Sequence, residues 1–129
     1  MKTHLLLAAA IMTSASGCSS IKFDSLQYDR FITVYETSSK LQKQCNQPDV
    51  IRAEIDVLQN QTDHIASYAA FRSNSPEVAT STAAVTSMVS ELSKKYQDDN
   101  NPSFQYCMEK LSNITSGTKT IISTLGAQQ

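Results

Sequence analysis

The chain has 129 residues, with 11 Lys and Arg against 12 Asp and Glu, and its formal net charge is −1 at neutral pH. The charges are evenly mixed, with no basic stripe and no aromatic platform between basic residues, so nucleic-acid binding is set aside. This length suits one small domain.

The N-terminus has the three parts of an export signal. Lys2 supplies a positive charge, residues 5–12 form an unbroken apolar run, and residues 14–17 are small. A membrane-spanning helix needs roughly 20 apolar residues, and this run is much shorter. The sequence therefore predicts a signal peptide that is removed.

The segment Ala15-Ser16-Gly17-Cys18 resembles the lipobox of bacterial lipoproteins. The resemblance implies that the thiol of Cys18 is acylated and that the chain is cut before it. That family usually has Leu, Val or Ile where this chain has Ala15, so cleavage by an ordinary signal peptidase nearby is the alternative. An exported protein with an odd, exposed thiol is otherwise unusual, which favours lipidation.

The same resemblance implies an address and a domain organisation. Ser19 and Ser20 follow the cysteine, without the Asp that retains such proteins at the inner membrane. We therefore expect a lipid anchor in the outer membrane, with the protein facing the periplasm. The predicted divisions are a signal peptide over residues 1–17, a lipidated tether over 18–24 and a folded domain over 25–129.

The domain sequence predicts four amphipathic helices separated by three turns. The first two are expected over residues 25–44 and 49–72, with a turn containing Pro48 between them. Apolar residues recur at helical spacing in both. In the first helix the row is Phe31, Val34, Ser38, Leu41 and Cys45; in the second it is Ile51, Ile55, Leu58, Thr62, Ile65 and Ala69.

The third helix is expected from Pro76 to about residue 97, with Ser75 as its N-cap. Many of its residues are Ser, Thr and Ala, so packing rather than helix propensity must hold it. The fourth is expected after a cap at Asn101 or Ser103 and ends before Gly126. The third row is Val78, Val85, Met88 or Val89, Leu92 and Tyr96; the fourth is Phe104, Cys107, Leu111, Ile114, Thr118, Ile121 and Leu125.

Short turns between the helices predict an all-α, antiparallel up-down four-helix bundle. In this topology the first helix ends where the fourth begins, which brings Cys45 and Cys107 together on the core side. In an exported chain this even pair predicts a disulfide. Zinc is a poorer alternative, because two lone cysteines without a CxxC motif, and only His64 in the mature chain, do not supply a standard ligand set.

Sequence signals for catalysis or for a cofactor are missing. Asp63 and His64 are neighbours on a helix and do not face one another, and His64 is expected to face solvent. The acidic turn at 98–101 lacks the glycine and distal glutamate of an EF-hand loop. No GxSxG, HExxH or phosphate-binding glycine loop occurs. We therefore expect a non-enzyme with no cofactor and no metal.

A binding or assembly role is the remaining expectation, since a small bundle can offer a groove to an amphipathic helix of an envelope protein. Five aromatic residues off the core rows are the candidate partner contacts. If they form one exposed patch, a partner surface gains support; if they are scattered, a structural role is favoured. The candidates are Tyr28, Tyr35, Tyr68, Phe71 and Tyr106.

The order of a lipidated cysteine, Cys45 with Pro48 just after it, and Cys107 opening the last helix resembles the small pilotins of type II secretion systems. That resemblance implies a bridge between the first and last helices and a secretin-like partner whose passage to the outer membrane the lipoprotein assists. The alternatives are a superinfection exclusion lipoprotein of a mobile element and a structural envelope lipoprotein.

Overall fold

A computed structural model describes residues 23–72, 76–98 and 102–127, and four helices account for nearly all of them. They are α1 (Ser25–Gln42), α2 (Pro48–Arg72), α3 (Pro76–Asp98) and α4 (Phe104–Gly126). The bounds differ from the predicted ones by two residues or fewer, and Pro76 opens α3 as expected. Ser103 caps α4 by accepting a hydrogen bond from the Tyr106 amide. The proposed N-caps Ser75 and Asn101 lie outside the described residues.

The helices form an antiparallel up-down bundle, as predicted. Each one packs against two neighbours in the cyclic order α1, α2, α3, α4. The closest pairs are α1 with α4 and α2 with α3. Cys45 and Cys107 are joined in a disulfide, with their Cα atoms 5.7 Å apart, which ties the end of α1 to the start of α4.

The core consists of the apolar rows that helical spacing predicts, with one exception. Eighteen of their members form a single buried cluster, because four helices that each bury one face enclose a common interior. Phe104 is 57% exposed, so its assignment to the core row was wrong. It is the first residue of α4, one turn before Cys107 in the chain. Since Cys107 is bonded to Cys45, which follows the last residue of α1, Phe104 lies past the end of α1 and is not covered by it.

Small hydroxyl side chains also enter the core. Ser38, Thr62, Thr82, Ser93 and Thr118 are each at most 2% exposed. Thr82 and Thr118 donate to the carbonyl oxygens four residues earlier, at 2.6 and 2.7 Å. Because these bonds satisfy the two threonine hydroxyls within their own helices, burial does not leave these donors unpaired. This explains how the Ser- and Thr-rich α3 packs as a core helix.

The N-terminus of α1 is bonded to α2 through the carboxylate of Asp24, a residue that was predicted to belong to the tether. Asp24 is 8% exposed, and its side chain accepts the amide hydrogens of Leu26 and Gln27 as an N-cap. The Tyr68 hydroxyl donates to Asp24 Oδ2 over 2.7 Å. Phe23 also contacts the bundle, with its ring 5.5 Å from that of Tyr28. Both described residues of the predicted tether are thus part of the folded domain.

Removing the Tyr68 hydroxyl should therefore destabilise the domain. We expect Tyr68→Phe to lower the free energy of unfolding by about 1–3 kcal/mol, because a buried carboxylate loses a donor. Urea unfolding of the two proteins measures the difference. Tyr35→Phe is the matched control, since the Tyr35 side chain is also half-buried on the neighbouring helix. Equal losses from both substitutions would contradict the assigned role of the Asp24 bond.

Candidate partner-binding surfaces

Of the three cysteines, two are accounted for by the fold. Cys45 and Cys107 form the disulfide and are 6% and 0% exposed, so neither thiol is available for other chemistry. Cys18, the predicted lipidation site, lies outside the described residues. The pairing leaves it as the one cysteine without an assigned partner in the sequence.

Three of the five aromatic candidates lie at the end of the bundle where α1 begins. Tyr28 packs beside Gly126 near the end of α4. Tyr68 is held by Asp24 and by the Arg30 guanidinium, which lies 5.1 Å from its ring centre. Phe71, in the last turn of α2, is 90% exposed and is the most exposed large apolar side chain among the described residues.

The other two candidates lie elsewhere. Tyr106 is in the first turn of α4, at the opposite end, where Lys95 and Lys110 each place their Nζ atoms 5.6 Å from its ring centre. Its ring also packs on the core cluster. Tyr35 is half-buried seven residues after Tyr28, on the same face of α1.

The five side chains therefore do not form a single patch. Scattered aromatic residues favour structural roles over a partner surface, and Tyr68 and Tyr106 each have such a role. Phe71 is different, because its side chain is 90% exposed. Sequence reasoning did not single out Leu26, which is 48% exposed at the same end as Phe71.

Two hollows lie between neighbouring helices. One of about 230 Å³ lies between α1 and α2 and is lined by Arg30, Thr33, Gln61 and His64. Another of about 270 Å³ lies between α2 and α3, beside Tyr96. An amphipathic helix needs an apolar groove. The α1/α2 hollow is lined by Arg, Thr, Gln and His, without the large aliphatic or aromatic side chains that anchor such a helix, so surface apolar residues are the better candidates for contacts.

Tyr96, beside the second hollow, is a buried phenol. Burial raises its pKa above the ordinary value, which outweighs the opposing effect of Arg52; Tyr106 raises it further. The folded state thus holds this proton more tightly than the unfolded chain does. Its contribution to stability is full at neutral pH and is lost as pH rises above the unfolded pKa of about 10.

The described residues show no cluster of three or more His, Cys, Asp or Glu side chains suited to a metal ion. His64 is exposed, as its position off the core row predicts. Within the same residues, none of the helices has the length and apolar character that crossing a membrane requires.

No protein-family model matches the chain, and neither a curated protein nor a solved structure is significantly similar to it.

Proposed function

We propose that this chain is the precursor of an outer-membrane lipoprotein, anchored through an acylated Cys18 and facing the periplasm. The observation that carries the proposal is the disulfide, which uses Cys45 and Cys107 and leaves one cysteine, directly after the predicted export signal. A disulfide also suits an oxidising compartment. The lipobox-like residues before Cys18 supply the route to its acylation.

The proposed task is to bind a partner envelope protein, in the manner of an assembly factor similar to pilotins. Support comes from the bridge between the end of α1 and the start of α4, which is the arrangement that the resemblance implies. The dispersal of the aromatic candidates favours the alternative, a structural envelope lipoprotein. Superinfection exclusion by a mobile element is a further alternative that shares the same anchor.

The anchor is tested by metabolic labelling with a palmitate analogue. Label should enter the intact protein and be lost in Cys18→Ala, because the thiol is the proposed acylation site, and the variant should move from the membrane fraction to the soluble fraction. Ser19→Ala is the matched control and should keep the label. Label that persists in Cys18→Ala contradicts the assignment.

The task is tested by chemical crosslinking in cells, followed by purification from detergent-solubilised membranes. Recovery of a secretin-like outer-membrane protein with the intact chain, and much less of it with Cys18→Ala, supports the assembly role. A transfer or phage component in its place supports exclusion. If neither chain recovers an envelope protein, the binding role is contradicted and the structural alternative stands.

A further inference from the structure

One end of the bundle, here called the tether end, is where α1 begins and α2 and α4 finish. The Tyr68 bond to Asp24 places the last turns of α2 beside the first residue before α1. The contact of Tyr28 with Gly126 places the end of α4 there as well. The chain that leads back to Cys18 leaves the domain at Phe23, so the proposed anchor is attached at this end.

The tether end carries apolar side chains that the fold does not bury. Phe71 is 90% exposed in the last turn of α2, and Leu26 is 48% exposed in the first turn of α1. Neither belongs to the core cluster. Apolar side chains grouped on one part of a surface mark contact surfaces, whereas single exposed ones are ordinary. At a membrane, such side chains favour the zone between headgroups and acyl chains.

The short segment between Cys18 and Phe23 limits how far the tether end can lie from the membrane. Cys18 and Phe23 are five residues apart, and five residues span at most about 18 Å. An acylated Cys18 therefore keeps the tether end within that distance of the lipid headgroups. The 18 residues of α1 place the disulfide end about 27 Å further along the bundle.

We propose that the tether end rests on the bilayer surface, with Phe71 inserted into the lipid interface and Leu26 beside it. This inference depends on the proposed acylation of Cys18. One aromatic side chain binds a bilayer too weakly to hold a free domain, but a covalent anchor makes the contact intramolecular and raises its effective concentration. The disulfide end, with the exposed Phe104, then points away from the membrane.

The contact is apolar rather than electrostatic. The described charged side chains at the tether end have both signs, with Asp24, Asp29 and Glu77 against Arg30, and the last turn of α4 has no basic residue. Attraction to anionic lipids needs clustered Lys and Arg. Vesicles of phosphatidylcholine alone should therefore support the contact, and added salt should not abolish it.

The chain contains no Trp, so a single introduced Trp reports on its own surroundings. The test compares Phe71→Trp with Phe104→Trp, a matched control at the other end, both in the lipidated protein on phosphatidylcholine vesicles. We expect the Phe71→Trp emission to shift to shorter wavelength. Brominated acyl chains should quench it at least about twofold more than Phe104→Trp, since quenching requires near contact with the bilayer. Both positions are exposed, so both variants should melt as the parent does.

The outcomes separate this inference from the anchor on which it depends. Mass spectrometry of the vesicle-bound protein reads the lipid on Cys18 directly. Equal quenching of the two variants, with the lipid present, overturns the proposed orientation while the anchor stands. Shielding of Phe71→Trp by an added envelope protein but not by vesicles also overturns it, and assigns this end to protein docking. If Cys18 carries no lipid, both the proposed anchor and the proposed orientation are contradicted.

Discussion

Loss of the Cys45–Cys107 disulfide should lower the free energy of unfolding by about 4 kcal/mol. The bridge joins residues 62 apart in sequence, so it removes much of the freedom of the unfolded chain. Small domains are stable by only about 5–15 kcal/mol, so this loss is a large share of the total. We expect the melting temperature of the reduced protein to fall by tens of degrees, on the scale of about 4–8 °C per kcal/mol.

The measurement is urea unfolding of the Cys18→Ala chain with and without reducing agent, because that substitution removes the third thiol and prevents disulfide exchange. A chain that also carries Cys45→Ala and Cys107→Ala should match the reduced protein, and reducing agent should have no effect on it. Coincident unfolding curves for the oxidised and reduced chains would show that the bridge does not stabilise the domain.

A Phe31→Ala substitution should be about as damaging, at about 3–5 kcal/mol, because it leaves a cavity in the core. Phe31 is 1% exposed and lies in the central cluster. The chain offers an identical chemical change at an exposed site as the control. Phe71 is 90% exposed, so Phe71→Ala should change stability by less than about 0.5 kcal/mol.

Chemical denaturation of the three proteins measures both differences under one set of conditions. A cost at Phe71 comparable to that at Phe31 would mean that the Phe71 ring is buried in solution, and it would remove the basis for a surface role. A neutral Phe71→Ala, together with strong vesicle quenching of Phe71→Trp, would separate surface function from stability at this position.

Helical spacing was sufficient to identify most of the core residues, because the face on which a residue lies depends only on its position within its own helix. The row Cys107, Leu111, Ile114, Thr118, Ile121 and Leu125 is buried throughout α4, and even its Thr is 0% exposed. The same rule failed at Phe104, where the spacing continues but the neighbouring helix ends. It also missed Gln27, a buried polar residue one turn before Phe31 that an apolar pattern does not include.

The candidate surfaces were less predictable. The five aromatic residues look alike in sequence, yet Tyr68 holds the N-cap of α1, Tyr106 packs between two lysines and the core, and only Phe71 is left to solvent. The bond from Tyr68 to Asp24 joins residues 44 apart in the chain. No periodicity within a single helix indicates such a pair, because the distance between its two residues depends on how far one helix is displaced along the other.

The sequence by itself determined the four helices, their buried faces and the pairing of Cys45 with Cys107, because helical period and short turns are set by neighbouring residues. The tertiary structure alone decided that Asp24 belongs to the folded domain and that Phe71 and Leu26 share the end from which the chain leads to Cys18. Those placements depend on the axial register between helices. Register is set jointly by the packing of all four core faces, and it has no signature in any one segment.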